Sequence, residues 1–395
     1  MPANTSRLVG LMSGTSMDAV DAAVVEVRSS ARRPVATVRE LATLARAYPA
    51  RLRERLMGAA EAGPMTAGQL ASLSVELGEL FARAATAAIR KAKLDVADID
   101  AIASHGQTIA HLPARRTTTV QIGEPSIIAE RVGVTVVSDF RVADTAAGGQ
   151  GAPLVPWVHD VMFARWGRRV AVVNIGGMAN VTILEPGRSA NPIKGGDSGP
   201  GNALIDGAVE RLSGGRRRMD RGGRMAAGHN PDPRLVATVL DSPFFRTRGR
   251  RSTGREDFGR GMVERVLGQA KRRRLADGVV VASLAMASAR SIARTCLRFS
   301  EGSVDEVLVC GGGALNQTLM AMLVAELGGV SVATTDIRGF DPLFVEAGAF
   351  AVLGHLALRG VAGNVGSITG AAGPRVLGKI SPGANYRSTR LRSSR

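Results

Sequence analysis

The chain has 395 residues, 45% of them apolar and only 4% aromatic, and a formal net charge of +17. That length exceeds a typical single domain and predicts two, in an α/β protein packed with Ala, Val and Leu. The charge favours anionic ligands such as nucleotides and carboxylated sugars. Its basic clusters (Arg216–Arg218, Arg246–Arg251, Lys271–Arg274, Arg387–Arg395) are not interleaved with aromatics, which argues for solvated surface over a specific nucleic-acid site.

In chain order, Leu8–Met12 reads as a buried strand, Ser13–Asp18 as a turn and Asp21–Val27 as a second strand. The apolar stretch after Arg7 is broken by Gly14, Asp18 and Asp21, so it is not a leader. No run reaches the roughly 18 apolar residues of a membrane span, and a cytoplasmic protein is expected. Hydroxyl side chains beside a glycine can bond phosphate oxygens, and Asp18 is placed to hold a Mg²⁺-bound water; a plain hairpin turn is the alternative. Pro49–Lys93 reads as helical, with a capping box at Thr66–Gln69 and a core stripe of Leu70, Leu73, Leu77, Leu80, Phe81 and Ala84.

Ile99–Ala103 predicts a strand that delivers Ser104-His105-Gly106-Gln107-Thr108 at its carboxyl end, where ligands gather in α/β sheets. A third polar cluster, Ser138-Asp139-Phe140-Arg141 with Asp144 and Gly148–Pro153, follows the strand Val134–Val137. Arg141 could fork onto a carboxylate or phosphate and Asp139 could accept sugar hydroxyls; an internal Asp–Arg ion pair is the alternative.

The central stretch, Val170–Asp206, repeats the first hairpin. Strand Val170–Asn174 turns through Gly176-Gly177 into Val181–Leu184, and a polar loop, Gly195–Asn202, then presents the isolated carboxylate Asp197 before a helix. Glycine turns let the backbone approach a phosphate closely. Two such hairpins suggest a duplicated architecture that clamps a nucleotide. Met219–Gly223 and Ser252–Glu256 read as connections, and Gly278–Arg298 as a long helix. Val307–Cys310 is a buried strand running into Gly311-Gly312-Gly313, Asn316 and a helix, a turn that suits adenine or ribose. Cys296 and Cys310 read as reduced core residues. Glu346 falls in the first turn of a last helix, where the helix dipole also explains an acid.

Two glycine hairpins, the Asp after the second and the late strand–Gly-Gly-Gly–helix resemble the actin, hexokinase and Hsp70 ATPase superfamily. The longer motifs resemble one family within it, the anhydro-N-acetylmuramic acid kinases. They are Met12–Asp18, Ser104–Thr108, Asp139–Arg141, Ala147–Pro153, Asn174–Gly177, Asp197–Asn202, Ser252–Glu256 and Cys310–Gly313, and the resemblance runs in order from about Leu8 to Pro382.

This resemblance implies two actin/hexokinase-like (ribonuclease H-like) α/β domains, at 1–165 and 166–381, with an ATP cleft between them. The basic tail, 382–395, is read as disordered. The implied reaction opens 1,6-anhydro-N-acetylmuramic acid with water and phosphorylates the freed O6, giving N-acetylmuramic acid 6-phosphate and ADP in cell-wall recycling. By motif position, Asp197 is the base and Glu346 a supporting acid. ATP falls on Gly14, Thr15, Ser16, Met17, Asp18, Ala19, Val20 and Asp21, with Gly176, Gly177, Gly311, Gly312, Gly313 and Asn316. Asp18 would serve Mg²⁺ through water, and His105, Asp139 and Arg141 the sugar, Arg141 taking the lactyl carboxylate. A homodimer is implied by the family alone. Three positions depart from its pattern: Ala19 replaces a glycine, Gly196 a bulkier residue and Gly366 a proline. A same-fold kinase acting on an ordinary hydroxyl, and an Hsp70-like nucleotide-driven binding protein, are the competing readings; no peptide-binding domain supports the latter.

Overall fold

The computed structural model describes residues 5–14, 17–60, 65–112, 117–186, 193–246 and 253–386. Twelve strands lie among them. The first six are β1 (Thr5–Ser13), β2 (Ala19–Ser30), β3 (Arg33–Ala47), β4 (Ala101–Leu112), β5 (Thr118–Ile122) and β6 (Val136–Ser138). The others are β7 (Val170–Ile175), β8 (Met178–Leu184), β9 (Lys194–Pro200), β10 (Glu306–Cys310), β11 (Ser331–Thr334) and β12 (Lys379–Ser381).

The chain forms two compact units: Met1–Met162 with Gly339–Arg395, and Phe163–Arg338. This differs from two consecutive domains divided near residue 165. The last third of the expected second domain contains the helix Val345–Leu358, and that helix belongs to the first unit because it covers one face of that unit's sheet. Of the expected tail, 387–395 lies outside the described residues.

In the first unit the strand order is β12-β6-β4-β1-β2-β3, with β5 paired to β4. β2 runs antiparallel to β1 and β3, whereas β4 runs parallel to β1 and β6. Alternate residues of β1 enter different cores, as a period of two requires. Val9 and Leu11 pack with Leu73, Leu77 and Phe81 of the helix Ala67–Lys91. Leu8 and Met12 pack with Phe350 and Leu353 of the helix Val345–Leu358. The capping box forms as read: Gln69 N–H donates to Thr66 Oγ1 and Thr66 N–H to Gln69 Oε1.

The second unit repeats the pattern. Its order is β11-β10-β7-β8-β9, with β7–β8–β9 antiparallel and β7, β10 and β11 parallel. The second sheet has the ribonuclease H-like order third-second-first-fourth-fifth. The first has it with β6 in the fifth place, once β5, paired to the far part of β4, and the added β12 are set aside. The actin/hexokinase-like α/β class is the observed one. Among the described residues one helix, Asp277–Phe299, is by length and composition long and apolar enough to cross a membrane, which differs from the sequence expectation. Most of that helix is buried, and Val281, Leu284, Ala285 and Ile292 form part of the unit's core. Cys296 and Cys310 are free and buried.

The tightest constraint in the first unit lies where the helix Val345–Leu358 crosses β1. A Cβ at Gly10 would stand 1.7 Å from the Ala347 carbonyl oxygen, so any side chain there forces helix and sheet apart. Gly10→Ala is expected to lower stability by about 1–3 kcal/mol, the usual range for overpacking. Urea unfolding measures it, and an unchanged midpoint would contradict the close approach.

Candidate functional site

Each unit carries one cluster of the residues singled out by sequence. In the first unit they surround the carboxyl end of β1 and the middle of β4. The β1–β2 connection holds Gly14, Met17 and Asp18, while Thr15 and Ser16 lie outside the described residues. Met17 has φ 50° and donates its N–H to the Gly14 carbonyl at 3.3 Å. Asp18 is exposed. Ala19, Val20 and Asp21 already belong to β2 and pair with β3, and Val20 is core, so it can offer a ligand no side chain.

Asp21 is pushed up to about 7, first by burial and then by the charges of Asp18, Glu346 and Asp341. The turn thus carries concentrated negative charge, which would welcome a cation. Among the described residues no three His, Cys, Asp or Glu side chains converge as a metal-binding group. Magnesium suits such a place, since it is commonly held by one or two carboxylates with water and substrate phosphates.

β4 extends through Ser104–Thr108, which sequence reading placed in a loop. The register of β4 against β1 shifts between Leu11 and Ser13, and Gly106 sits there at φ 76°, a left-handed conformation that favours glycine. His105 and Gln107 would share a face in an unbroken strand. The bulge instead separates them. His105 stacks on Phe350, with ring centroids 4.7 Å apart, while Gln107 meets Tyr48 on the opposite face.

His105 is only 2% exposed. Its Nδ1 donates to the Gly106 carbonyl at 2.9 Å, and its Nε2 accepts from Arg141 Nε at 2.9 Å. Those partners fix the neutral tautomer, and burial followed by the Arg141 charge pushes its pKa down to about 3. With both nitrogens engaged, His105 faces Arg141 rather than a ligand. Arg141 also donates Nη1 to the Gly151 carbonyl at 2.8 Å. Burial lowers its pKa to about 10, against the pull of Glu346, and it stays charged near neutrality.

Asp139 does not pair with Arg141. It sits at φ 56° before the helix Phe140–Ala146, and its carboxylate pairs with Lys379 of β12. A residue without an assigned role holds the adjacent glycine turn. Fully buried Asp144 accepts from Gly151 N–H, Asn364 Nδ2 and Thr369 Oγ1 at 2.7–2.8 Å. Glu346 occupies the first turn of its helix, as expected.

In the second unit Asp197 lies on β9, which sequence reading took for a loop. Ala179 pairs with Gly199 but Asn180 pairs with Asp197, so Ser198 is an extra residue and the strand bulges beside the carboxylate. Ser198 Oγ donates to the Ala179 carbonyl at 3.0 Å, and Thr253 N–H donates to Asp197 Oδ2 at 2.8 Å. Gly176 spends its N–H on the Met178 carbonyl, and Asn202 and Ala203 donate their N–H groups to Gly176 and Gly177. This turn is thereby locked to the helix Ala203–Leu212.

Of the glycine triplet, Gly311 and Gly313 press against β7: a Cβ at Gly313 would stand 2.3 Å from Ile175 Cγ2. Gly312 alone faces open space, with only Asn202 Nδ2 within 4 Å, at 3.9 Å. Asn316 caps the helix Gln317–Leu327 by accepting from Leu319 N–H at 3.0 Å. Asp206, in the first turn of the helix Ala203–Leu212, belongs to none of the motifs visible in the sequence. Burial and then the nearby Asp220 carboxylate push it up to about 7.

A family model described as "Anhydro-N-acetylmuramic acid kinase" matches residues 6–383. A relative so named from Pseudomonas paraeruginosa is 42% identical over 95% of this chain and 99% of its own. Another, from Caldanaerobacter subterraneus subsp. tengcongensis, is 38% identical over 95% of this chain and 96% of its own. Among solved structures, the activator of 2-hydroxyisocaproyl-CoA dehydratase from Clostridium difficile, with bound ADPNP, is similar over 88% of this chain and 94% of its own. Its TM-score is 0.45 and its identity 12%.

Asp206 yields a pH prediction. Its carboxyl ionises near 3.8 when unfolded and near 7 when folded. The folded state therefore holds the extra proton between those values, and stability falls as pH rises through them. Asp206→Asn removes that loss. The variant should match the wild type at pH 4 and exceed it at pH 8 by about 4 kcal/mol, read from urea unfolding at both pH values. An equal difference at both would contradict the shift.

Proposed function

The chain belongs to the anhydro-N-acetylmuramic acid kinase family, and from that premise we propose that it opens 1,6-anhydro-N-acetylmuramic acid with water and phosphorylates O6 from ATP. The products are N-acetylmuramic acid 6-phosphate and ADP. The observation that carries the reading is the extent of the family match, residues 6–383, which takes in every motif quoted above.

Asp197 is the general base. The β9 bulge aims its side chain, and the Thr253 N–H fixes one carboxylate oxygen. It takes a proton from the water that attacks C1 on the face opposite the anhydro bridge. The C1–O6 bond breaks, and O6 accepts the γ-phosphoryl group as the bond to the β-phosphate oxygen breaks. Glu346 supports this chemistry from the first turn of its helix. The Gly14–Asp21 turn, Gly176-Gly177, Gly311–Gly313 and Asn316 serve ATP. Within the triplet, Gly312 has the open backbone suited to contact, whereas Gly311 and Gly313 provide close packing.

Arg141 is the partner for the lactyl carboxylate, and its charge and fork geometry suit that group. His105 acts through Arg141, and Asp139, paired with Lys379, borders the same helix start. Asp18 would hold a divalent cation through water, and the charges of Asp21 and Glu346 nearby would favour it without forming a three-carboxylate site. When bound, Mg²⁺ neutralises phosphate charge. The reading also includes a cytoplasmic setting, where two free buried cysteines are at home, and a homodimer, which light scattering checks.

The test is ATP turnover with the anhydro sugar in ¹⁸O-labelled water, followed by mass spectrometry of the sugar. One phosphate and one ¹⁸O at C1 are expected, with Asp197→Asn slower by roughly 10²–10⁴-fold. Phosphate without label at early times would leave a kinase acting on an ordinary hydroxyl and remove the ring-opening step.

A further inference from the structure

The glycine turn that follows the helix Phe140–Ala146 is built on one buried carboxylate. Asp144 is 0% exposed, and its two oxygens divide their partners. Oδ2 accepts from Gly151 N–H at 2.8 Å, while Oδ1 accepts from Thr369 Oγ1 at 2.7 Å and from Asn364 Nδ2 at 2.8 Å. A Cβ at Gly149 would stand 2.1 Å from Oδ2, so the turn closes directly over the carboxylate. The segment that supplies the two side-chain donors also grips the turn through its main chain. Gln150 N–H donates to the Thr369 carbonyl and Ala372 N–H to the Ala147 carbonyl, both at 2.8 Å.

Gly151 carries this anchorage to Arg141. Its N–H meets Asp144, and its carbonyl accepts from Arg141 Nη1 at 2.8 Å. The residue has φ 68°, and a Cβ there would crowd Thr145 Cγ2 at 2.8 Å, so only glycine suits both bonds. His105 Nε2 accepts from Arg141 Nε at 2.9 Å. The guanidinium is thus held at Nε and Nη1 by two neutral acceptors, and among the described residues no hydrogen bond engages Nη2. Its charge and part of its fork remain for an anion. A carboxylate takes two parallel N–H bonds from a guanidinium only when the plane of that group is fixed, and a group free to turn loses the second bond.

We propose that Asp144, acting through Gly151, is a positioning residue for the carboxylate of the sugar: it fixes the carbonyl that holds Arg141 Nη1, so that the guanidinium meets the lactyl group in one set plane. This rests on the reading of Arg141 as the partner of that group. His105 sets the same plane from Nε, and its own Nδ1 is spent on the Gly106 carbonyl, so neither holder is free to follow a turning guanidinium.

The test compares wild type with Asp144→Asn on two substrates, the anhydro sugar with its free lactyl acid and the same sugar as the methyl ester. The wild type should prefer the acid in kcat/KM by about tenfold or more, since the ester forgoes a hydrogen bond between charged groups. In Asp144→Asn that preference should shrink by about fivefold, while kcat/KM for the ester stays within about twofold. Thr369→Val removes one donor to the carboxylate with little change of shape. It carries the same comparison should Asp144→Asn fail to fold, and the preference should again shrink. A folded variant that keeps the full preference, even with activity lowered on both substrates, would mark a purely structural carboxylate and overturn the proposal while leaving the kinase reading in place. A wild type that turns over acid and ester alike would overturn the role given to Arg141, and one that turns over neither the kinase reading itself; the proposal falls with either.

Discussion

A strand that alternates strictly sends residues two apart to the same side, and this periodicity would defeat both clusters described here. The first unit needs Gln107 beneath the Gly14 turn and His105 behind Arg141, on opposite faces of one sheet. One inserted residue in β4 resolves the conflict, and Gly106 absorbs the positive φ that the insertion demands. In the second unit an inserted Ser198 breaks the alternation beside Asp197. Each bulge is held by bonds of its own. His105 Nδ1 closes on the Gly106 carbonyl, and Ser198 Oγ closes on that of Ala179. In both units a polar side chain of the cluster sits next to an irregularity in an otherwise regular ladder, which fixes its direction within a rigid frame.

Local signals carried much of this arrangement. The glycine hairpins, the capping box at Thr66 and the buried strand before Gly311 all announce themselves within a few residues, and each stands where the sequence placed it. Features that depend on distant partners were not legible. Tyr48 lies 35 residues from the Ser13 hydroxyl it reaches, and nothing around Tyr48 marks it as polar machinery. Asp144 is tied to Asn364 and Thr369, more than 200 residues away. The segments around Ser104–Thr108 and Gly195–Asn202 look like loops because glycine and polar residues dominate them. They are strands because neighbouring strands supply the ladder bonds that propensity alone does not.

The division of the chain follows from the same cause. Sheet order is duplicated, but the covering of the two sheets is not, and the first sheet obtains one of its faces from residues 345–358. The contact that decides this, Gly10 under the Ala347 carbonyl, joins residues 337 positions apart. The apolar run of the helix carries no label saying which sheet it will cover; the absent side chains at Gly10 and at Gly354, which lies against Ala103, are local traces.

Electrostatics then constrain what the first unit can receive. The chain as a whole is strongly positive, yet the surroundings of its first glycine turn are acidic. A triphosphate approaching Asp18, Asp21 and Glu346 meets like charge. Two forms of compensation are built into the residues. Burial holds Asp21 near its titration midpoint at neutral pH, so that carboxyl carries only part of its charge. The buried donors under the turn, Gln107 Nε2 and the Tyr48 N–H, keep the Gly14 and Asp18 carbonyl dipoles from adding to the repulsion. What remains is charge of the kind a divalent cation neutralises, with the exposed Asp18 the group best placed to meet one through water. The acidity of the turn and the anionic nucleotide of the proposed reaction are therefore compatible, because these carboxylates favour the cation that accompanies a nucleotide.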